Sequence, residues 1–375
     1  MRWTLSLSNS SASDCAILIK NVVNSFFSKN KQEERPMNNN TVIAVDLAKN
    51  FFQVCEMKNG QKISYNKQLK RADLLKFMTN QQPTLVAMEA CYSSHYWARE
   101  FKKCGHTVKL LPAQHVTPFV RGNKSDKNDV VAIAEASLRP NITEVPIKTV
   151  EQQDIQSLHR FRERHVSHRT GLINQARGLL SEYGLIAPEG VASFREKIVE
   201  WKTEKNKQIS ELIKEQLTAV LDEFDMHSKR IKELTLKLSE VCKTNSLCGL
   251  LLSIPGIGII NATAIYSAIG NGSQFKHQRD LAVWLGLTPK QSSSGSMFTS
   301  GGITKRGNRY LRKQLVHGSR SVVSRAQHKT DRLSLWINKL VERRGKQKTY
   351  VALAAKLARI AWIILQRKEE YQPQS

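Results

Sequence analysis

From Thr41 onward, apolar positions come in short β-branched runs bounded by turn residues. Thr41 to Asp46 (TVIAVD) ends in a carboxylate, and Phe51 to Met57 follows after Lys49-Asn50, a pattern that predicts two strands joined by a short turn. Gly60 then punctuates the chain, Lys62 to Leu69 reads as a third strand, and Arg71 to Thr79 has helical spacing. Pro83 to Glu89 is a further buried strand that again ends on a carboxylate. A helix over Ser94 to Lys103 is closed by Gly105, which suits a C-terminal cap, and Thr107 to Leu111 gives a fifth strand. Lys127 to Leu138, rich in Ala, Val and Ile, is a helix.

Residues 149–245 contain few breakers beyond Gly184 to Pro188, so long helices are expected there. Ile209, Ile213, Leu217, Val220, Phe224, Ile231, Leu234, Leu238 and Val241 recur at spacings of three and four. That stripe is expected to be a coiled-coil or helical-hairpin seam suited to self-association, with packing inside its own domain as the alternative. On the first helix Arg160, Arg162, Arg164, His165, His168, Arg169 and Arg177 crowd together, an arrangement expected to meet backbone phosphates. Beyond 245 the chain reads as mostly α. Its Ile254-Pro255-Gly256-Ile257-Gly258 turn resembles a helix-hairpin-helix element in which Gly256 and Gly258 let backbone N–H groups approach a phosphate. A Ser/Gly-rich stretch from Gln291 to Gly302 leads into the basic segment Lys305 to Arg312.

Composition narrows the partner. Lys and Arg number 58 against 32 Asp and Glu in 375 residues, a formal charge of +26 that points to a polyanion, and to nucleic acid first. The six cysteines form no CxxC pair or Cys/His cluster at zinc-ligand spacing, and fit reduced thiols in a cytoplasm. No stretch approaches the roughly 20 apolar residues of a membrane span, so no membrane role is expected. Residues 1–40 read as an appended or weakly ordered leader, with Met37 as an alternative start.

The succession of three strands, helix, strand, helix, strand, helix over 41–148 matches an RNase H-like domain. In that fold Asp46 and Glu89 close adjacent buried strands, while Asp126 and Asp129 share one face at the start of a helix. Four carboxylates at one sheet edge repel one another unless divalent cations relieve them. Mg²⁺ is the expected ligand, and oxygen-rich coordination suits phosphoryl transfer. Taken singly, Asp46 is also readable as a strand-end turn residue and Asp126 with Asp129 as a helix-capping pair. Glu56 and Glu135 are the acids to compare with them.

The segments Ala44-Val45-Asp46-Leu47-Ala48-Lys49, Met88-Glu89-Ala90, Lys124 to Asp129, Ile254 to Gly258 and Gly301 to Asn308 together resemble the insertion-sequence 110 family of DEDD transposases, most closely its 1111-type branch, over about Thr41 to Leu365. The resemblance implies a RuvC-like N-terminal domain (41–148), a coiled-coil connector (149–245) and a C-terminal transposase domain (246–370) that supplies a nucleophilic serine. It further implies that Asp46, Glu89, Asp126 and Asp129 hold Mg²⁺, and that Ser294, or its neighbours Ser292 and Ser293, attacks a DNA phosphodiester. Lys305, Arg306, Arg309 and Arg312 are expected to hold DNA phosphates near that serine. Donor and target DNA, a structured guide RNA encoded by the element, a homotetramer and a bacterial cytoplasmic setting complete the expectation. Two other readings compete with it: a junction-resolving nuclease that hydrolyses DNA with metal-bound water, and a non-catalytic nucleic-acid-binding protein.

Overall fold

The computed structural model describes residues 41–123, 125–203, 208–295 and 297–373. The leader, Cys15, Lys124 and Ser296 therefore lie outside the described residues. The chain divides into two compact units, the first ending at Ile147 and the second spanning Lys148–Ser375.

The first unit is a five-stranded mixed sheet in the order β3-β2-β1-β4-β5. β1 (Thr41–Asp46), β2 (Phe51–Lys58) and β3 (Lys62–Lys70) form an antiparallel meander, while β4 (Leu85–Glu89) runs parallel to β1 and β5 (Thr107–Leu111) parallel to β4. Alternation along β1 explains why both faces are covered: Ile43 and Val45 enter one apolar cluster, and Val42 and Ala44 enter the other. The first cluster contains Leu74 and Met78 of α1 (Arg71–Thr79) together with Trp97 and Phe101 of α2 (Ser94–Lys103). The second contains Val116 of α3 (Ala113–Val116) together with Val130 and Ile133 of α4 (Asp126–Ser137). β3 is an edge strand, largely exposed and studded with Lys62, Lys67 and Lys70, charges that discourage pairing with another chain.

In the second unit, α5 (Val150–Ser181) starts at a capping box in which Thr149 and Gln152 satisfy each other's backbone N–H groups. α6 (Val191–Trp201) and α7 (Glu211–Thr244) follow. α5 and α7 lie antiparallel, as the pairs Arg162 with Thr235 and Arg169 with Ser228 require. The apolar stripe of α7 meets its own chain. Leu217, Leu221 and Phe224 join Ile173, Ala176 and Leu180 of α5 and Phe194 and Ile198 of α6 in one buried cluster. The seam expected to mediate self-association is thus filled within the subunit over these residues, because α5 runs along it and α6 folds back onto it.

The rest of the unit is mostly helical around a second core. It comprises α8 (Ser246–Leu252), α9 (Ile259–Ile269), α10 (Gln278–Trp284), α11 (Arg309–Val323) and α12 (Arg332–Arg367), with a two-stranded sheet of β6 (Pro289–Ser294) and β7 (Met297–Ile303). Among the described residues α12 is the one helix long and apolar enough, by length and composition, to cross a membrane, contrary to the expectation that no stretch qualifies. Its apolar residues serve a protein core: Leu353, Leu357 and Ala361 are buried, Lys356 and Arg359 interrupt the run, and Gly345 breaks the helical backbone.

Candidate active site

β1 delivers Asp46 to the C-terminal end of its strand, and Glu89 ends the adjacent parallel strand β4. Asp126 and Asp129 both fall in the first turn of α4, which Ser125 caps by accepting the Asn128 N–H. Because a serine performs the capping, the two aspartates are left for another task. Carboxylate oxygens of Asp46, Asp126 and Asp129 lie within 4.8 Å of one another, and these acids are the one group of three or more potential metal ligands among the described residues. Glu89 stands outside that triad but close enough for its charge to act on Asp46. The comparison acids are engaged elsewhere: Glu56 pairs with Lys58 and Glu135 with Arg121.

Electrostatics marks Asp46 as the strained member. Burial first, then the charges of Asp126, Asp129 and Glu89, push its carboxyl up to about 6, against one opposing hydrogen bond from the Leu47 N–H. A site made only of oxygen donors, half-buried and self-repelling, fits a hard divalent cation, which would relieve the repulsion.

The serine-rich stretch forms an exposed hairpin rather than an irregular loop. Ser292 pairs with Thr299, Ser293 with Phe298 and Ser294 with Met297, and Gly295 takes the turn at φ +56°. Strand alternation puts Ser292 and Ser294 on one face and Ser293 on the other. All three are exposed, as are Met297 and Phe298 at the tip. The hairpin is fixed at its root, where Gly286 and Gly307, both at positive φ, bring the ends of α10 and of the post-β7 segment into backbone contact that any Cβ would block.

The basic residues divide. Lys305, Arg306 and Arg309 are exposed beside the hairpin, but Arg312 braces its root by donating from one guanidinium nitrogen to the Leu285 and Arg306 carbonyls, 2.8 Å each. On α5, Arg160 and Arg164 are exposed. Arg162 and Arg169, expected at phosphates, instead donate to Thr235 and Ser228 of α7, and Arg177 donates to the Pro188 and Gly190 carbonyls. The physical reason is helical period: positions 162, 165 and 169 share the face that α7 covers. A parallel correction applies to Gly256. A Cβ there would stand 2.6 Å from Val322 Cγ2 and 2.9 Å from the Gly318 carbonyl, so its positive φ serves close packing on α11. Gly258, with open space around it, is the residue that caps the start of α9.

Residues 43–185 match a family model described as "Transposase", and residues 248–334 match one described as "Transposase IS116/IS110/IS902 family". The chain is 39% identical over 342 residues to the transposase for insertion sequence element IS1111A of Coxiella burnetii, covering 91% of this chain and 94% of that protein. It is 42% identical over 332 residues to a probable family 20 transposase of Pseudomonas aeruginosa, covering 88% and 98%. The transposase for element IS1328 of Yersinia enterocolitica is 35% identical over 329 residues, covering 88% and 97%. The chain belongs to the IS110 family of transposases.

Two features of this transposase escape a reading of residue types alone. Gln53, the register partner of Asp46, donates to Asn66 Oδ1 at 2.6 Å, and Asn66 donates to the Lys127 carbonyl at 3.0 Å, tying β2 and β3 to the turn that carries Asp126 and Asp129. His159 is buried between the Tyr310 hydroxyl and Thr263 Oγ1, 2.9 Å from each, and burial followed by Arg162 lowers its pKa to about 4. Its position in the buried series Gln152, Ile155, His159 on α5 was the available signal.

Proposed function

We propose that this transposase cuts and rejoins DNA with a Mg²⁺-binding DEDD site on an RNase H-like, RuvC-like scaffold and a serine nucleophile in its C-terminal unit. The observation that carries the reading is the convergence of Asp46, Asp126 and Asp129 from a strand end and a helix start, with Glu89 at the next strand end. The strand order β3-β2-β1-β4-β5, with three antiparallel strands followed by two parallel ones, supports the scaffold assignment. Asp46, Glu89, Asp126 and Asp129 would hold the cation. Bound there, a divalent ion lowers the cost of deprotonating a nucleophile and stabilises charge on phosphate and leaving oxygens.

The serine half is assigned to Ser294. Its Oγ bonds to phosphorus while the bond to one strand's oxygen breaks, and that oxygen leaves with a proton. In rejoining, the hydroxyl of a second strand forms the new phosphodiester and releases the serine, so no external energy source is needed. Ser294 has its place at the exposed tip of the hairpin, before the Gly295 turn, and Ser292 shares its face. Of the cations expected at phosphates, Lys305, Arg306, Arg309, Arg160 and Arg164 are exposed and available to meet them. A charge of +26 also suits a structured guide RNA beside donor and target DNA; a homotetramer acting in the bacterial cytoplasm completes the proposal.

Co-expression with the element's flanking non-coding DNA, followed by detection of excised circles, tests the activity. Denaturing gels after incubation with substrate should show a protein–DNA adduct that Ser294→Ala loses and Ser293→Ala keeps. Strand cutting without any adduct would replace the serine mechanism with hydrolysis.

A further inference from the structure

A cavity of about 610 Å³ opens in the second unit, within the ~300–1,000 Å³ range of small-ligand sites. Its lining includes Gln156, His159 and Arg160 of α5, Trp284 of α10, and Asn308 and Tyr310 at the start of α11. Each wall has a distinct chemical character. Trp284 and Tyr310 bring aromatic surface. His159 is locked as a neutral imidazole, both ring nitrogens being engaged by Tyr310 and Thr263. The side-chain amide of Gln156 is hydrogen-bonded to no described residue, and Arg160 is exposed. The cavity also touches Gly307, so it borders the root of the serine hairpin.

Aromatic walls, a neutral imidazole and one uncommitted amide suit a flat, neutral heterocycle with a polar edge, and the carboxylate that also lines the cavity, Glu163, is neutralised by an ion pair with Lys313. An exposed guanidinium alongside suits an anion attached to it. Together these are the parts of a nucleotide taken out of its stack. Accepting that this protein acts on DNA, we propose that the cavity receives a single unstacked nucleobase of a bound strand, with the Gln156 amide at its polar edge and Arg160 at the adjacent phosphate. The base could come from DNA or from RNA, since the shared chemistry is the same.

The test compares short single-stranded DNA and RNA oligonucleotides with versions of equal length carrying an abasic site, using the full chain and fluorescence anisotropy. Replacing one base by 2-aminopurine should give an emission change on binding. The expected result is about a tenfold preference for the base-bearing strand over the abasic one. Gln156→Phe, which fills the cavity, should remove that preference while leaving the salt dependence of binding intact, and Ala268→Phe should do the same where Gln156→Phe fails to fold. Which sugar shows the larger preference identifies the strand. Equal affinity for base-bearing and abasic strands, or a preference that survives both filling variants, overturns the proposal while leaving the transposase chemistry standing. Failure to bind any oligonucleotide while excised circles still form overturns the proposal alone, and loss of both overturns the proposed DNA chemistry as well.

Discussion

The acid cluster and the serine hairpin carry opposite kinds of order. Asp46, Asp126 and Asp129 are held by a covered five-stranded sheet, a capped helix and a two-bond relay through Gln53 and Asn66. Ser292 to Ser294 sit on one strand of a two-stranded sheet, exposed along their length and fastened only at the root. A two-stranded ribbon of this kind is marginal in water by itself. The first region is preorganised, and its carboxylates are already crowded. The second is presented to solvent, so the proposed serine nucleophile would depend on bound substrate to shield it from water.

That contrast can be broken experimentally, and the largest effects should come from the reacting groups. Asp46→Asn and Ser294→Ala should each lower recombination by at least about 1,000-fold, yet only Ser294→Ala should leave Mn²⁺ binding intact in calorimetry. A wild-type rate in either variant would remove that group from the chemistry. Next in size, Gly256→Val should cost about 3 kcal/mol of stability, read as a lowered unfolding midpoint in urea, because it meets Gly318 and Val322 and strains the backbone. The same substitution at Gly295, where no heavy atom lies within 4 Å of a new Cβ, should cost only its φ strain.

A similar contrast governs pH. His159 is neutral when folded, with its pKa lowered to about 4 from an ordinary 6.5. The unfolded chain therefore binds the proton first. Stability from this residue is complete above pH 6.5 and is lost as pH falls toward 4, by roughly 3 kcal/mol at most. Thermal melts across that window should show the loss, and His159→Asn should flatten it. The smallest effect is expected at Asn66→Ala, which leaves all four acids in place and should weaken Mn²⁺ affinity about tenfold with little change in melting temperature. Unchanged affinity would make the relay merely structural.

Most of the first unit was legible because burial on both faces of a sheet imposes dense apolar runs, and Asp46 and Glu89 stand out as charges at the ends of such runs. The start of α4 was legible for the same reason, although the serine cap, and not the aspartates, closes it. The second unit hid more. Arg162, Arg169 and Arg177 look like a phosphate-binding face until α7 and the Pro188 turn are in place to accept their hydrogen bonds. The stripe on α7 has the right period for another subunit and is answered by α5 and α6 of its own chain instead. Ser292 to Ser294 lack the alternation that announces a strand, because both faces of their hairpin meet solvent and only cross-strand pairing defines it. Gly318 carries no signal of its own, since its meaning lies in Gly256, sixty-odd positions earlier.

The glycine pair at positions 286 and 307 separates what can vary from what cannot. Because the arm beyond them meets the body only at its root, through main chain, the Arg312 brace and the half-buried Ile303, residues 289–302 can be exchanged for the matching segment of a relative, or lengthened by whole pairs of residues, without recutting the helical core. Chimeras grafted at that joint offer a route to altering how these enzymes engage their substrates while the scaffold stays as it is.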